Sequence, residues 1–291
     1  MPPIVKNLLK IAAVVIVVVL LFKLHWALGT GVVVVSIGVF VFLNRSALYA
    51  QRGNMAYMKG DQAKALELLE KANGFKRVVP QHRIGYGFLL MKAGKPEEAE
   101  RVFQEIQRLS PPREILMQAR INLSTAYWLQ GRHSESLALM EEVMGEYKNT
   151  LAYGNLGYFK VLNGDLEEAL VLNQEAYEFN DNDVTILDNL AQNYYLLGRV
   201  EEAADMYAKV MDKSPKHAES YYFYALTLQK LGRLEEAREQ SEKAISRDLA
   251  LVTPLTRADL ERLEEQLKQA DPDHESRDEG PLAGESSIDR G

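Results

Sequence analysis

Glycine recurs at positions 60, 94, 131, 164, 198 and 232, at intervals of 34, 37, 33, 34 and 34 residues. A period of this length marks a repeat architecture, in which one supersecondary unit buries its apolar face against the next. Each glycine closes an apolar-periodic stretch, and an alanine or serine follows five residues later. With the glycine at repeat position 15, six units result: 46–79, 80–113, 117–149, 150–183, 184–217 and 218–251.

The aligned columns predict a helical hairpin in every unit. Position 8 reads Gly53, Gly87, Ser124, Gly157, Ala191, Ala225, and position 20 reads Ala65, Ala99, Ser136, Ala169, Ala203, Ala237. Small side chains in both columns let two helix backbones approach closely. Position 27 (Ala72, Ile106, Val143, Ala176, Val210, Ala244) supplies an apolar seam toward the next unit. The position-15 glycine ends the first helix in the left-handed conformation. Acidic pairs such as Glu167-Glu168 and Glu201-Glu202 then open the second helix, where negative charge complements the helix dipole.

These residues resemble the tetratricopeptide-repeat (TPR) family over 46–251, best in Asn155-Leu-Gly157…Asn163-Gly164-Asp165-Leu-Glu-Glu-Ala169 and Leu197-Gly198-Arg-Val-Glu-Glu-Ala203…Pro215. Two departures stand out. Position 4, an aromatic in the family, is Arg83 and Arg120 in repeats two and three, and Ser110-Pro111-Pro112 loosens the junction between those repeats. The resemblance implies an all-α fold, a TPR superhelical solenoid of six repeats whose first helices line a concave groove for a protein or extended peptide segment. Its groove-facing positions carry Tyr57, Phe88, Trp128, Tyr158, Tyr195 and Tyr222. Asn122, Asn155 and Asn189 stand at position 6 of successive repeats, a ladder that some members use to hydrogen-bond a peptide backbone; such asparagines also serve internal bonding. The position-5 lysines of carboxylate-clamp members are missing, since that column reads Ala50, Ile84, Ile121, Gly154, Asp188, Tyr222. Beyond the repeats, Thr256-Arg-Ala-Asp259 resembles a capping box and starts a cap helix within 252–270, and the acidic 271–291 reads as disordered.

Residues 1–45 read as a membrane anchor. Ile11–Phe22 holds no charged side chain, and Val32–Leu43 is interrupted only by Ser36. A bilayer core takes about 20 helical residues, so snorkelling Lys10, Lys23 and Arg45 extend the spans to about 7–25 and 30–47. One straight helix over 11–43 would reach about 50 Å. A transmembrane hairpin turning at Gly29–Gly31 is therefore expected, contacting membrane lipid. Basic residues flank both ends, which predicts an integral protein of the plasma or inner membrane with cytoplasmic termini and repeats. Cleavage of the first run as a signal peptide and a single crossing stay open as alternatives.

The formal net charge of −7 argues against a nucleic-acid partner. There is no cysteine, and the five histidines fall in different units without ligand spacing. No metal, cofactor or catalytic residue is expected. The chain reads as a membrane-tethered scaffold or adaptor rather than an enzyme. The alternative is a non-catalytic regulatory or assembly subunit of a membrane enzyme complex, its apolar hairpin contacting other membrane helices.

Overall fold

The computed structural model describes residues 3–75 and 78–270, among which fifteen α-helices form and no strand does. They fall into two compact units divided at the Pro111-Pro112 pair. The first, Met1–Pro111, contains α1 (Pro3–Leu24), α2 (Trp26–Leu43), α3 (Arg45–Met58), α4 (Gln62–Asn73), α5 (Pro80–Lys92) and α6 (Pro96–Arg108). The second, Pro112–Gly291, contains α7 (Arg113–Leu129), α8 (His133–Glu146), α9 (Thr150–Asn163), α10 (Leu166–Phe179), α11 (Val184–Leu196), α12 (Val200–Asp212), α13 (Ala218–Lys230), α14 (Leu234–Ile245) and α15 (Arg257–Ala270). The acidic 271–291 lies outside the described residues.

The repeat columns become hairpin contacts. All six position-15 glycines adopt φ between +72° and +88°, a region costly for other residues, and the second helix starts within a few residues. The position-20 residues are fully buried in every repeat, and those at position 27 nearly so. In repeat three the Ser136 hydroxyl donates to the Ser124 carbonyl at 2.7 Å, tying position 20 to position 8. A Cβ at Gly53 would come within 2.8 Å of Leu69, so the small residue at position 8 makes room for position 24 as well as for position 20. The two arginines at position 4 take guanidinium–carboxylate partners on the second helix: Arg83 with Glu105 at 2.6 Å, and Arg120 with Glu142 at 2.6 Å and Glu146 at 2.9 Å.

In unit two, α9 packs on α11 and α11 on α13, whereas successive second helices barely meet. The stack therefore curves with its first helices inside. At its end, Thr256 N donates to Asp259 Oδ2 at 2.8 Å while Asp259 N approaches Thr256 Oγ1 at 3.3 Å, a capping box that starts α15. Leu260, Leu263 and Leu267 bury one face of that helix; Leu263 and Leu267 share a core cluster with Leu228 and Ala237.

The N-terminal block departs from the expected hairpin. Gly29 and Gly31 lie inside α2, and the chain breaks at His25, which is extended (φ −161°, ψ 127°) and accepts from Ala27 N through Nδ1 at 3.2 Å. Gly29 is needed for close approach, since a Cβ there would sit 2.4 Å from the Phe22 ring. Among the described residues only Trp26–Leu43 is long and apolar enough to cross a membrane; the apolar run Val14–Leu24 is shorter. The apolar side chains described on both helices are mostly exposed, and the two helices meet where Phe22 of α1 approaches Gly29 of α2. From α2 to α3 the path is almost unbroken. Asn44 alone leaves helical geometry, and Leu48 N still donates to its carbonyl at 3.0 Å. Arg45 lies over the rings of Phe42 and Phe75, at 4.3 and 4.5 Å.

Candidate protein-binding face

The first helices carry the residues singled out from the sequence, but they differ in availability. In unit one, Tyr57 meets Phe88 edge-on with centroids 6.5 Å apart, and the Lys92 ammonium stands 5.6 Å from the Tyr57 ring. In unit two, Tyr195 and Tyr222 are partly exposed on α11 and α13. Both pack against Phe223, and Lys230 caps the Tyr195 ring at 4.1 Å. These two rings are held rigidly at the surface.

Trp128 is instead a core residue. Its indole stacks between His133 (4.1 Å) and Phe159 (4.6 Å), because the next repeat closes over it. The asparagine ladder is not uniform either. Asn122 donates to Gln118 O at 2.8 Å and Asn155 to Leu151 O at 2.9 Å, each within its own helix. Asn189 is buried and donates to Gly154 O at 2.7 Å, linking α11 to α9. Its side-chain amide is therefore engaged between two helices, whereas those of Asn122 and Asn155 bond only within their own helix.

Tyr158 joins a feature that the repeat pattern does not contain. After α14 the chain leaves helical geometry and crosses the first helices of repeats six to four. Asp248 bridges to His217, and its carbonyl accepts from Ala218 N at 3.0 Å. Ala250 N donates to Glu219 Oε1 at 3.0 Å, and Tyr158 OH, on α9, donates to Val252 O at 3.2 Å. Val252 packs on the α7–α9 core, and Leu255 returns to Tyr222 and the α13–α15 core.

Beside this segment, two acidic side chains hold buried oxygens without partners. Glu219 is 5% exposed, and its Oε2 has no hydrogen-bond partner. Asp188 is partly exposed as a residue, yet its Oδ1 is sealed from solvent and also unpartnered. The Tyr207 hydroxyl is a third such group. Burial pushes the Asp188 carboxyl up to about 7; the Ser220 hydroxyl bond opposes this and the Glu219 charge adds to it. Burial likewise holds the Tyr158 and Tyr207 phenols far above their ordinary value. Asp188 stands in the position-5 column and Glu219 at position 2 of the next repeat, both on first helices.

Comparison with known proteins agrees with this architecture. Tetratricopeptide-repeat models match residues 80–105 and 116–152, and a model described as anaphase-promoting complex, cyclosome, subunit 3 matches 162–244. A TPR repeat-containing protein of Methanocaldococcus jannaschii is 24% identical over 185 residues, 60% of this chain. The chain spans only about a third of that relative's length (32%). Among solved structures, the Cut9–Hcn1 hetero-tetramer of the anaphase-promoting complex superposes with a TM-score of 0.63 at 13% identity, covering 76% of this chain and 42% of that one. A thermophilic TPR protein of Thermus thermophilus gives 0.53 at 19% identity, over 66% of this chain and 100% of the other. A TPR protein from Parabacteroides merdae gives 0.54 at 17%, over 79% and 88%. These matches support the tetratricopeptide-repeat reading. Proteins of this family generally mediate protein–protein interaction or assembly and are typically non-catalytic.

Proposed function

We propose that the chain is a membrane-tethered scaffold that binds a partner protein through an extended segment laid on the first helices of unit two. The observation that carries this reading is the pair Tyr195 and Tyr222, aromatic rings kept partly open to solvent yet braced by Phe223 and Lys230. Rigid aromatic surface contributes contact area at low entropic cost, which suits a recognition face. The tether is α2, with α1 as a second apolar segment that turns at His25. A helix of 18 residues is about 27 Å long, close to a bilayer core. The one-residue junction at Asn44 would hold the first repeat at a fixed tilt against the membrane, with the repeats on the cytoplasmic side.

A second reading, the membrane-complex subunit, rests on α2. Its apolar side chains are exposed, and a Cβ on Gly31 or Gly38 would meet nothing within 4 Å, leaving space for another helix.

Site-specific photocrosslinking in cells expressing the full chain tests the binding face. A photoreactive residue at Tyr195 or Tyr222 is expected to trap a discrete protein adduct. The same group at exposed Glu239, on the second helix α14, is expected to trap none. Adducts of equal yield from both faces, or from Glu239 alone, would overturn the proposed face.

A further inference from the structure

We propose that the first-helix face of repeats four to six is a binding site for an extended peptide carrying a basic side chain, and that Asp248–Leu255 is a built-in strap that occupies the site until such a peptide displaces it. This rests on the scaffold reading and names the chemistry of its partner.

The strap is bound as a peptide ligand would be. Its anchoring bonds use main-chain groups: Asp248 O to Ala218 N, Ala250 N to Glu219, and Val252 O to Tyr158. Such contacts are indifferent to sequence, so another extended segment could make them equally well. Its side chains add only apolar contacts, from Leu249, Val252 and Leu255, each partly buried. The occupant therefore satisfies the face's hydrogen-bonding and apolar surface.

Charge is where the strap fits badly. Glu219 Oε2 and Asp188 Oδ1 are enclosed without a partner. The residues from Asp248 to Thr256 (Asp-Leu-Ala-Leu-Val-Thr-Pro-Leu-Thr) include no basic side chain. Two neighbouring carboxyls enclosed without a cation are strongly disfavoured, and a lysine or arginine brought in beside them would form charge-assisted bonds with both. A peptide that reproduces the strap's backbone and adds one positive charge at the Ala250 position would outcompete it.

The experiment uses the full chain in mild detergent and two fluorescent probes: the strap peptide Arg247–Thr256, and the same peptide with Ala250→Lys. A strap-open variant replaces residues 249–255 with a glycine-serine run of equal length, leaving α15 in place. The strap-open chain is expected to bind the lysine probe at least tenfold more tightly than the parent probe. The wild-type chain should bind either probe at least tenfold more weakly than the strap-open chain does. Glu219→Gln with Asp188→Asn should abolish the preference for lysine. If the strap-open chain fails to fold, Val252→Ser decides, since it loosens the strap alone and should raise lysine-probe affinity severalfold. Equal affinity of both probes for a folded strap-open chain would overturn the acidic-site assignment. Equal binding by wild-type and opened chains, or none by either, would overturn the strap. Either failure would leave crosslinking from Tyr195 intact, so it is distinguishable from failure of the scaffold reading.

Discussion

Gly87→Val is expected to destabilise unit one by about 1–3 kcal/mol through overpacking, and Phe103→Ala by about 3–5 kcal/mol through the cavity it leaves. The double variant should lose less than the sum. A Cβ on Gly87 would stand 2.5 Å from Cζ of Phe103, a side chain with no exposed surface of its own. The ring cannot swing outward, so the α5–α6 hairpin must open. Removing the ring relieves the clash, and the added valine methyls fill part of the void. Contacting residues that share one space are non-additive by about 0.5–3 kcal/mol. Chemical denaturation of the two single variants and the double, read by hydrogen exchange at α5 and α6, measures this coupling. Strict additivity would mean that positions 8 and 24 do not share one packing site, and the hairpin registration would be wrong.

The second large effect is electrostatic. Asp188 ionises near 3.8 in an unfolded chain and at about 7 in the fold, chiefly because burial disfavours the carboxylate. Between those values the folded state binds more protons than the unfolded state, so stability falls as pH rises from about 4 through 7. The stabilisation is complete below the unfolded value and lost above the folded one. At pH 8 the ionised carboxyl costs up to roughly 4 kcal/mol. Asp188→Asn keeps the shape and removes the charge. It is expected to raise the denaturation midpoint of unit two at pH 8, by an amount equivalent to about 1–3 kcal/mol, since part of the residue surface stays solvated. At pH 4 the variant and wild type should nearly coincide. Parallel stability curves from pH 4 to 8 would show that Asp188 is solvated in the folded chain.

Features set by short-range periodicity were legible in the sequence. The glycine at repeat position 15 takes φ > 0, the small residue at position 20 permits close approach, and Thr256 with Asp259 caps a helix; each is a local rule acting over a few residues or one hairpin. Where the structure departs, a longer-range or competing effect wins. Gly29 and Gly31 signal a turn by propensity, but α2 runs through them because His25 supplies both the extended backbone and the cap. Trp128 occupies a groove-facing column yet is roofed by Phe159 of the following repeat. Asn189 and Asn155 share a column, and only the former reaches a neighbouring helix. The Tyr158–Val252 bond joins residues 94 positions apart, beyond anything a 34-residue period encodes. The seat of Leu249–Leu255 on the first helices was likewise not legible, because the repeat ends at 251 and nothing local fixes the path that follows.

The central claim is that the repeats, rather than the apolar helices, hold the partner. Exchanging residues 1–43 for an unrelated membrane anchor of the same topology tests this most directly, with the Tyr195 adduct as the reference partner in mild-detergent affinity purification. The account predicts that the exchanged chain recovers that partner at the wild-type level, because the binding face lies in unit two. Loss of the partner to background, with the repeats still folded and at the membrane, would contradict it and assign the chain to a membrane complex through α1 and α2.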